Sequence, residues 1–562
     1  MIDFQRYLLI AAIAALSLML LVEWRNFELE NSTPLSASAT VDTSAQNPAE
    51  PAALTSNNEE MPSLQSASAA LPDPVMKKAS EQLISLSNDV LKLKIDPRGG
   101  DIVYSELEKF AAELHSKERF VLLENNGQRS FIAQSGLIGD NATDTAEGRP
   151  LFSANSNSKT LEEGSDEVVL DLHYAYSDSI SIIKRFTLKR GEYQVRMDYL
   201  VNNLSDQPFN ATLFTQLRRD NSTDPGASNN GGMFAMHPFL GVAYASNDDL
   251  YNKLRFEKMR EKPLNQTVNG GWIAMVQHYF LNAWVPQQDS QNQLSTVVTQ
   301  QSMNIARITQ PGFSVAAGSQ GGASAILYSG PKDQYRLEEI APGLDLSVDY
   351  GWLWWIAQPI FWLLVKLHGF LGNWGLSIIA VTVLVKALFF QLNAKAFTSM
   401  ANMRRVQPKL VELRERYAND KQKQSQAMME LYKKEKINPV GGCLPMVVQM
   451  PVFISLYWVL MESVELRHSP FMLWIHDLSS MDPYFVLPLI MGTTMFFQQK
   501  LNPPPPDPMQ AKVMQWMPVI FTFFFLFFPA GLVLYWVVNN SLSILQQYII
   551  SKRIEKSGLP TR

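Results

Sequence analysis

One cation stands inside the apolar half of this chain. Lys386 lies in Gly372–Leu392, GNWGLSIIAVTVLVKALFFQL, a run of bilayer-spanning length, with Thr382 one helical turn before it on the same face. At about 1.5 Å per residue Lys386 is some 20 Å from the Gly372 end, so its face is expected to look into protein or water rather than lipid. The competing reading is a lysine that snorkels to the headgroups and has no task. Four further apolar stretches follow, and none carries Asp, Glu, Lys, Arg or His in its interior. The chemistry on offer is therefore electrostatic: one ammonium, with Thr382, Gln449, Thr493, Thr494, Asn539 and Asn540 as neutral polar groups. Such a recess can hold polar or acidic peptide while an adjoining apolar segment enters lipid, lowering a barrier without breaking a bond.

Other chemistries fit poorly. Ion-coupled carriers usually need intramembrane carboxylates, and there are none. GLSII around Ser377 lacks the second glycine of a nucleophile elbow, and no phosphate-binding loop is present. Cys443 is the only cysteine, so internal disulfides and cysteine metal clusters are excluded; VGGC at Val440–Cys443 resembles a lipoprotein box but sits mid-chain. His115, His173, His237 and His278 form no metal-ligand motif and read as ordinary surface or core residues. No cofactor, metal or direct nucleic-acid recognition is expected.

The average composition, 46% hydrophobic with net charge −5, conceals two unlike halves divided near residue 345. Tyr7–Val22 behind Arg6 is a short apolar helix followed by Glu23-Trp24-Arg25 rather than small residues, which favours an uncleaved anchor (1–25) over a cleaved signal. Residues 26–80, rich in Ser, Ala and Pro, read as a disordered tether. Period-two runs then begin at Leu91/Leu93/Ile95, Val168/Leu170/Leu172/Tyr174/Tyr176 and Tyr193/Val195/Met197/Tyr199/Val201. With a turn at Leu188–Tyr193 and short strands at Trp272–Val285 and Ala323–Ser329, they predict a large all-β sandwich over 81–345.

The tryptophan-rich segment 346–371 is expected to lie flat in the outer leaflet as an interfacial helix; an additional span is the alternative. After the second span, 372–395, Ala394–Asn438 holds eleven Lys/Arg against five Asp/Glu, which places it in the cytoplasm. It reads as two amphipathic helices (396–442) broken at Asn419-Asp420. Met403, Val406, Leu410 and Leu413 should face Met428, Met429 and Leu431, either as a solvated hairpin or as a docking surface. A third span (443–462), an acidic outer loop (463–482), a fourth span (483–499), a proline-rich loop (500–512), and fifth and sixth spans (513–529 and 531–551) divided at Pro529-Ala530-Gly531 return the tail (552–562) to the cytoplasm. Several of these spans are short, which implies a thinned bilayer.

GNWGLSII, NPVGGCLPMVVQMPVF, SVELRHSPFMLWIHDLSSMDPY, MGTTMFFQQK and FPAGLVLYW resemble the YidC family of membrane protein insertases in its Gram-negative form, contiguously over about Gly372–Ile550. The resemblance implies an α-helical polytopic membrane protein of the inner membrane, with an N-terminal anchor, a five-span core and a periplasmic super-sandwich like galactose mutarotase. It implies a non-enzymatic insertase and chaperone with a cytoplasm-open groove, acting on nascent membrane proteins alone or with the Sec translocon, receiving ribosome-bound chains and contacting lipid. The groove cation then falls on Lys386, its polar neighbour on Thr382, substrate contacts on Gln449, Met450 and Pro451, and a groove aromatic on Trp536. Members commonly carry arginine where Lys386 stands and tyrosine where Trp536 stands. The readings from other classes are an anchored envelope enzyme with a glycan-binding sandwich and a small-solute transporter.

Overall fold

The computed structural model describes residues 82–145, 148–224, 238–418, 420–435, 444–502 and 508–557. The expected anchor and tether lie outside these residues, as do His237, Cys443, residues 503–507 of the proline-rich loop and the end of the tail.

Alternation builds the first half. In Leu91–Asp96 the leucines and Ile95 point inward and the lysines outward, and Val168, Leu170 and Leu172 do the same in Glu167–Ser177. Leu188–Tyr193 is the expected turn: Ile180–Lys189 and Gln194–Asn203 pair antiparallel around it with Leu188 opposite Val195, and Gly191 takes the left-handed conformation that the tight reversal needs. Trp272–Val285 is a buried hairpin rather than one strand, Ile273–Val276 against Phe280–Val285. The described strands form a ten-stranded and a nine-stranded sheet, antiparallel except where Ser85–Ser87 meets Ser158–Thr160, and both sheets contribute to one hydrophobic core.

A charge is buried in that core. The alternation of Ile180, Ile182, Phe186 and Leu188 places Lys184 on the inward face, where its Nζ donates to Gly99 O at 2.8 Å and Ser135 O at 3.2 Å. Arg149 Nε binds Asp144 at 2.7 Å beside it, and the same guanidinium pairs with Asp101. Burial pushes the Lys184 ammonium from 10.5 down to about 7, against the pull of Asp101, with Arg149 adding to the fall and Asp144 opposing it. An unfolded lysine therefore holds more protons than the folded one between these values, so this group costs stability below pH 7 and the cost fades as pH rises towards 10.5. The unfolding midpoint should climb between pH 7 and 9, and Lys184→Met should flatten that climb; an unchanged slope in differential scanning fluorimetry would exclude this origin.

The helical half begins with α1, Trp354–Leu371. Ala357, Ile360, Phe361 and Leu364 are buried at helical spacing, while Trp352 just before the helix and Phe370 on it are 73% and 88% exposed. The helix is amphipathic, with Phe361 turned inward and Trp354, Trp355, Trp362 and Phe370 outward. Gly372 ends it in the left-handed conformation, and Asn373 caps α2, Trp374–Leu388, by accepting from Leu376 N at 3.0 Å.

The run expected as one span, 372–395, is not one helix. After Phe389 the chain enters α3, Phe390–Arg416, at 67° to α2, and the Phe390 carbonyl at the bend accepts from Gln546 Nε2 at 3.1 Å. No proline or glycine marks this break; a side chain from a later helix holds it. By length and composition no single helix among the described residues is able to cross a membrane, whereas α2 and the first part of α3 together are.

The hairpin is a unit of its own. Within it Val406 and Leu410 of α3 pack with Tyr432 of α4, Lys421–Lys434, flanked by Met403, Met428 and Leu431, and Asp420 caps α4 through Lys423 N at 3.0 Å. Tyr432 joins the methionine face that the sequence indicated.

The remaining helices are α5 (Leu444–Glu462), α6 (Val486–Leu501), α7 (Pro508–Phe525) and α8 (Ala530–Ser557), with the break between α7 and α8 where Pro529-Ala530-Gly531 predicts it. Gly492 of α6 lets α7 come close, since a Cβ there would lie 1.9 Å from Thr522 Oγ1. The outer loop between α5 and α6 holds two ends: Ser480 O and Leu478 O accept from Ala530 N and Gly531 N at 2.7 and 2.9 Å, and Asp482 accepts from Leu487 N at 2.7 Å.

That loop and the end of α5 also join the sandwich. Lys332 meets Glu462 at 2.5 Å with both side chains 3% exposed, and His278 Nε2 donates to Met461 O at 2.8 Å. Burial drives the His278 imidazole down to about 3, so it stays neutral in this contact. Arg467 Nη2 donates to Ala112 O at 2.8 Å, its guanidinium lies over Phe120 and Phe280, and Val464 enters the sandwich core. His278 is thus a structural residue of this seam.

Candidate functional site

Lys386 occupies the last turn of α2, just before the bend, and is 8% exposed. Its Nζ donates to Ser543 Oγ of α8 at 2.7 Å and to Gln449 Oε1 of α5 at 3.4 Å. Gln449 Nε2 reaches Asn393 Oδ1 of α3 at 3.4 Å, so four helices meet around one ammonium. These partners are a hydroxyl and an amide; they satisfy donors but supply no negative charge. The cation is turned inward, not snorkelling.

The expected site residues are only partly gathered here. Lys386 and Gln449 meet. Thr382 is buried on the same face, but its hydroxyl donates to Ile378 O at 2.7 Å within its own helix. Met450 is 44% exposed on α5, and Pro451 beside it is half-buried. Trp536 is half-buried on α8, edge-on to Phe453 at 4.6 Å, with Nε1 buried and without a hydrogen-bond partner. It stands seven residues before Ser543, about 10 Å along the helix. Asn540 donates to Thr494 Oγ1 at 3.3 Å, and Thr493 bonds back to Leu489 O.

Ser543 and Asn393 were not singled out from sequence. A signal existed for the first: Trp536, Asn540, Ser543 and Gln547 recur at spacings of four, three and four, a polar stripe along an otherwise apolar helix. For Asn393 no comparable signal existed, since its place depends on the bend. Among the described residues no group of three or more His, Cys, Asp or Glu side chains is placed to hold a metal ion.

A buried cation among neutral groups thus lies in a helical core that a seam joins to a two-sheet domain. The YidC periplasmic domain family matches residues 83–363, and the 60Kd inner membrane protein family matches 366–557, the two meeting within α1. The membrane protein insertase YidC of Stutzerimonas stutzeri (strain A1501) is 50% identical over 562 residues, covering 99% of this chain and 100% of the relative. The chain belongs to the YidC family of membrane protein insertases. The YidC of Pseudomonas entomophila (strain L48) is likewise 50% identical, over 98% of each chain. A crystal structure of an active YidC insertase with its first transmembrane domain resolved aligns at a TM-score of 0.38 and 18% identity, covering 84% of this chain and 93% of its own; the family assignment rests on the sequences.

As a YidC-family protein this is an insertase of the inner membrane whose clients are membrane proteins, with its β domain in the periplasm and a helical membrane core. Insertion is not an enzymatic conversion, and the readings as an envelope enzyme or a solute transporter fall away.

Proposed function

We propose that insertion runs through a hydrophilic groove, open to the cytoplasm, whose working element is the Lys386 ammonium. The observation that carries this is that, among the described residues, the buried cation pairs only with neutral groups: Ser543 and Gln449 hold it in place and do not compensate its charge. In a low-dielectric bundle that charge attracts carbonyl dipoles and carboxylates of an entering chain more strongly than it would in water. A polar client segment rests there while its apolar neighbour moves into lipid. Thr382, Gln449, Met450, Pro451 and Trp536 border the path, with the exposed Met450 offering an adaptable apolar contact.

The arrangement in the membrane follows from charge. The basic hairpin 396–442 and the tail 552–562 lie in the cytoplasm with the N-terminus, the anchor 1–25 and tether 26–80 lead to the sandwich 81–345, and helix 346–371 lies in the outer interface; 372–395 crosses as the bent pair of α2 and the start of α3, and the short segments 443–462, 483–499, 513–529 and 531–551 cross a locally thinned bilayer. The hairpin receives ribosome-bound chains; small clients insert through this protein alone and larger ones with the Sec translocon.

The test is insertion of a small one-span client into proteoliposomes holding this protein alone, read by protease protection. Insertion well above empty liposomes is expected. Insertion no better than in empty liposomes would overturn the proposal that the chain acts without a translocon.

A further inference from the structure

The Lys386 ammonium is long-stemmed and strongly hydrated, and a flexible side chain in the last turn of α2 has several directions open to it. Something must make the inward position the better one. Gln449 at 3.4 Å is a distant partner; Ser543 at 2.7 Å is the close one. An ammonium has only donors, so the hydroxyl must accept. Its own hydrogen is committed elsewhere: Ser543 Oγ donates to Asn539 O, one turn back on α8, at 2.7 Å. With that bond made, the oxygen presents lone pairs to Lys386 in a fixed direction. Ser543 is itself 4% exposed, so water competes poorly for them.

We infer that Ser543 is the positioning residue of the insertion site, the acceptor that keeps the Lys386 cation inside the bundle where a client can reach it. The inference rests on the reading of Lys386 as the working cation and adds a residue to it. Ser543 acts through the ammonium and not on the client. Gln449 steadies the same nitrogen from α5, its amide oriented by Asn393 Oδ1, but its longer contact makes it the lesser support.

The test is a double-mutant cycle in the full-length protein, with client insertion into proteoliposomes as the readout and the detergent-solubilised unfolding midpoint as the folding control. The variants are Ser543→Ala, Ser543→Thr, Lys386→Ala and Lys386→Ala with Ser543→Ala. Ser543→Ala is expected to lower the insertion rate about fivefold to tenfold with the unfolding midpoint little changed. Ser543→Thr, which keeps an oxygen at the same atom, should restore most of it. In the Lys386→Ala background the serine change should have no further effect, because its only role has gone.

Three outcomes overturn the inference. The first is Ser543→Ala inserting like wild type while Lys386→Ala fails. The second is losses that multiply in the double variant, which would mark Ser543 as a packing residue only. The third is failure of threonine to rescue while the protein stays folded. If Lys386→Ala inserts as well as wild type, the cation reading itself has failed, and the cycle separates that case from the others.

Discussion

Lys386→Ala should cut client insertion by about tenfold to a hundredfold, the loss of one charge-assisted interaction worth about 1.5–3 kcal/mol at the rate-limiting encounter. Lys386→Glu should fall at least as far, because a carboxylate in that place repels acidic client segments as well as failing to attract carbonyls. Lys386→Arg should retain most activity: the charge remains, and the guanidinium supplies five donors against three. The measurement is insertion per unit time at matched protein density. Were alanine to insert like wild type, the ammonium would be a structural group satisfied by Ser543 and Gln449, and the groove would have to work by shape and apolar contact alone.

Glu462→Ala should destabilise the whole molecule by about 3–5 kcal/mol, because it strands the Lys332 ammonium in a seam where it is 3% exposed. Lys332 keeps one carbonyl partner, Ser347 O at 3.2 Å, which does not replace a carboxylate. The expected result is a lower unfolding midpoint and faster proteolytic release of the sandwich from the helical core. Replacing both partners, Lys332→Met with Glu462→Leu, should recover much of the loss, since well-packed apolar residues remove the burial cost of two charges. Wild-type proteolysis and melting in Glu462→Ala would show that the seam is held by the His278 and Arg467 contacts instead.

What the sequence revealed follows the physics of each element. Half-buried strands such as Leu91–Asp96 alternate, and alternation is visible in one dimension. The central strand Phe209–Arg219 lies between Ser130–Ile138 and Asn304–Val315, and its residues are nearly all buried on both faces, so it carries no period-two pattern. Breaks made by turn chemistry, before the Asp420 cap of α4 and at Pro529-Ala530-Gly531, fell where their residues put them. The bend at Phe389 did not, because no proline or glycine marks it and the contact made at its Phe390 carbonyl comes from Gln546, more than 150 residues away in sequence.

The site divides in the same way. Lys386 was conspicuous as a charge in an apolar run, and Gln449 as a polar residue in another. Ser543 was hidden by being small and common, although its helical stripe was there to be read. The buried Lys184 of the sandwich went unremarked for a different reason: a lysine in a strand is ordinary until the face it occupies is worked out.

The seam gives α5 the mechanics of a lever. Its outer end, at Met461 and Glu462, is pinned to the sandwich, while Gln449, thirteen residues before Glu462, touches the Lys386 nitrogen. The arm between them is about 20 Å, so a tilt of about 10° about the outer pivot carries Gln449 some 3–4 Å. That displacement is enough to part the amide from the ammonium. A force that parted the inner ends of the helices would therefore draw the weaker support away first, while the outer end stayed pinned to the large periplasmic domain.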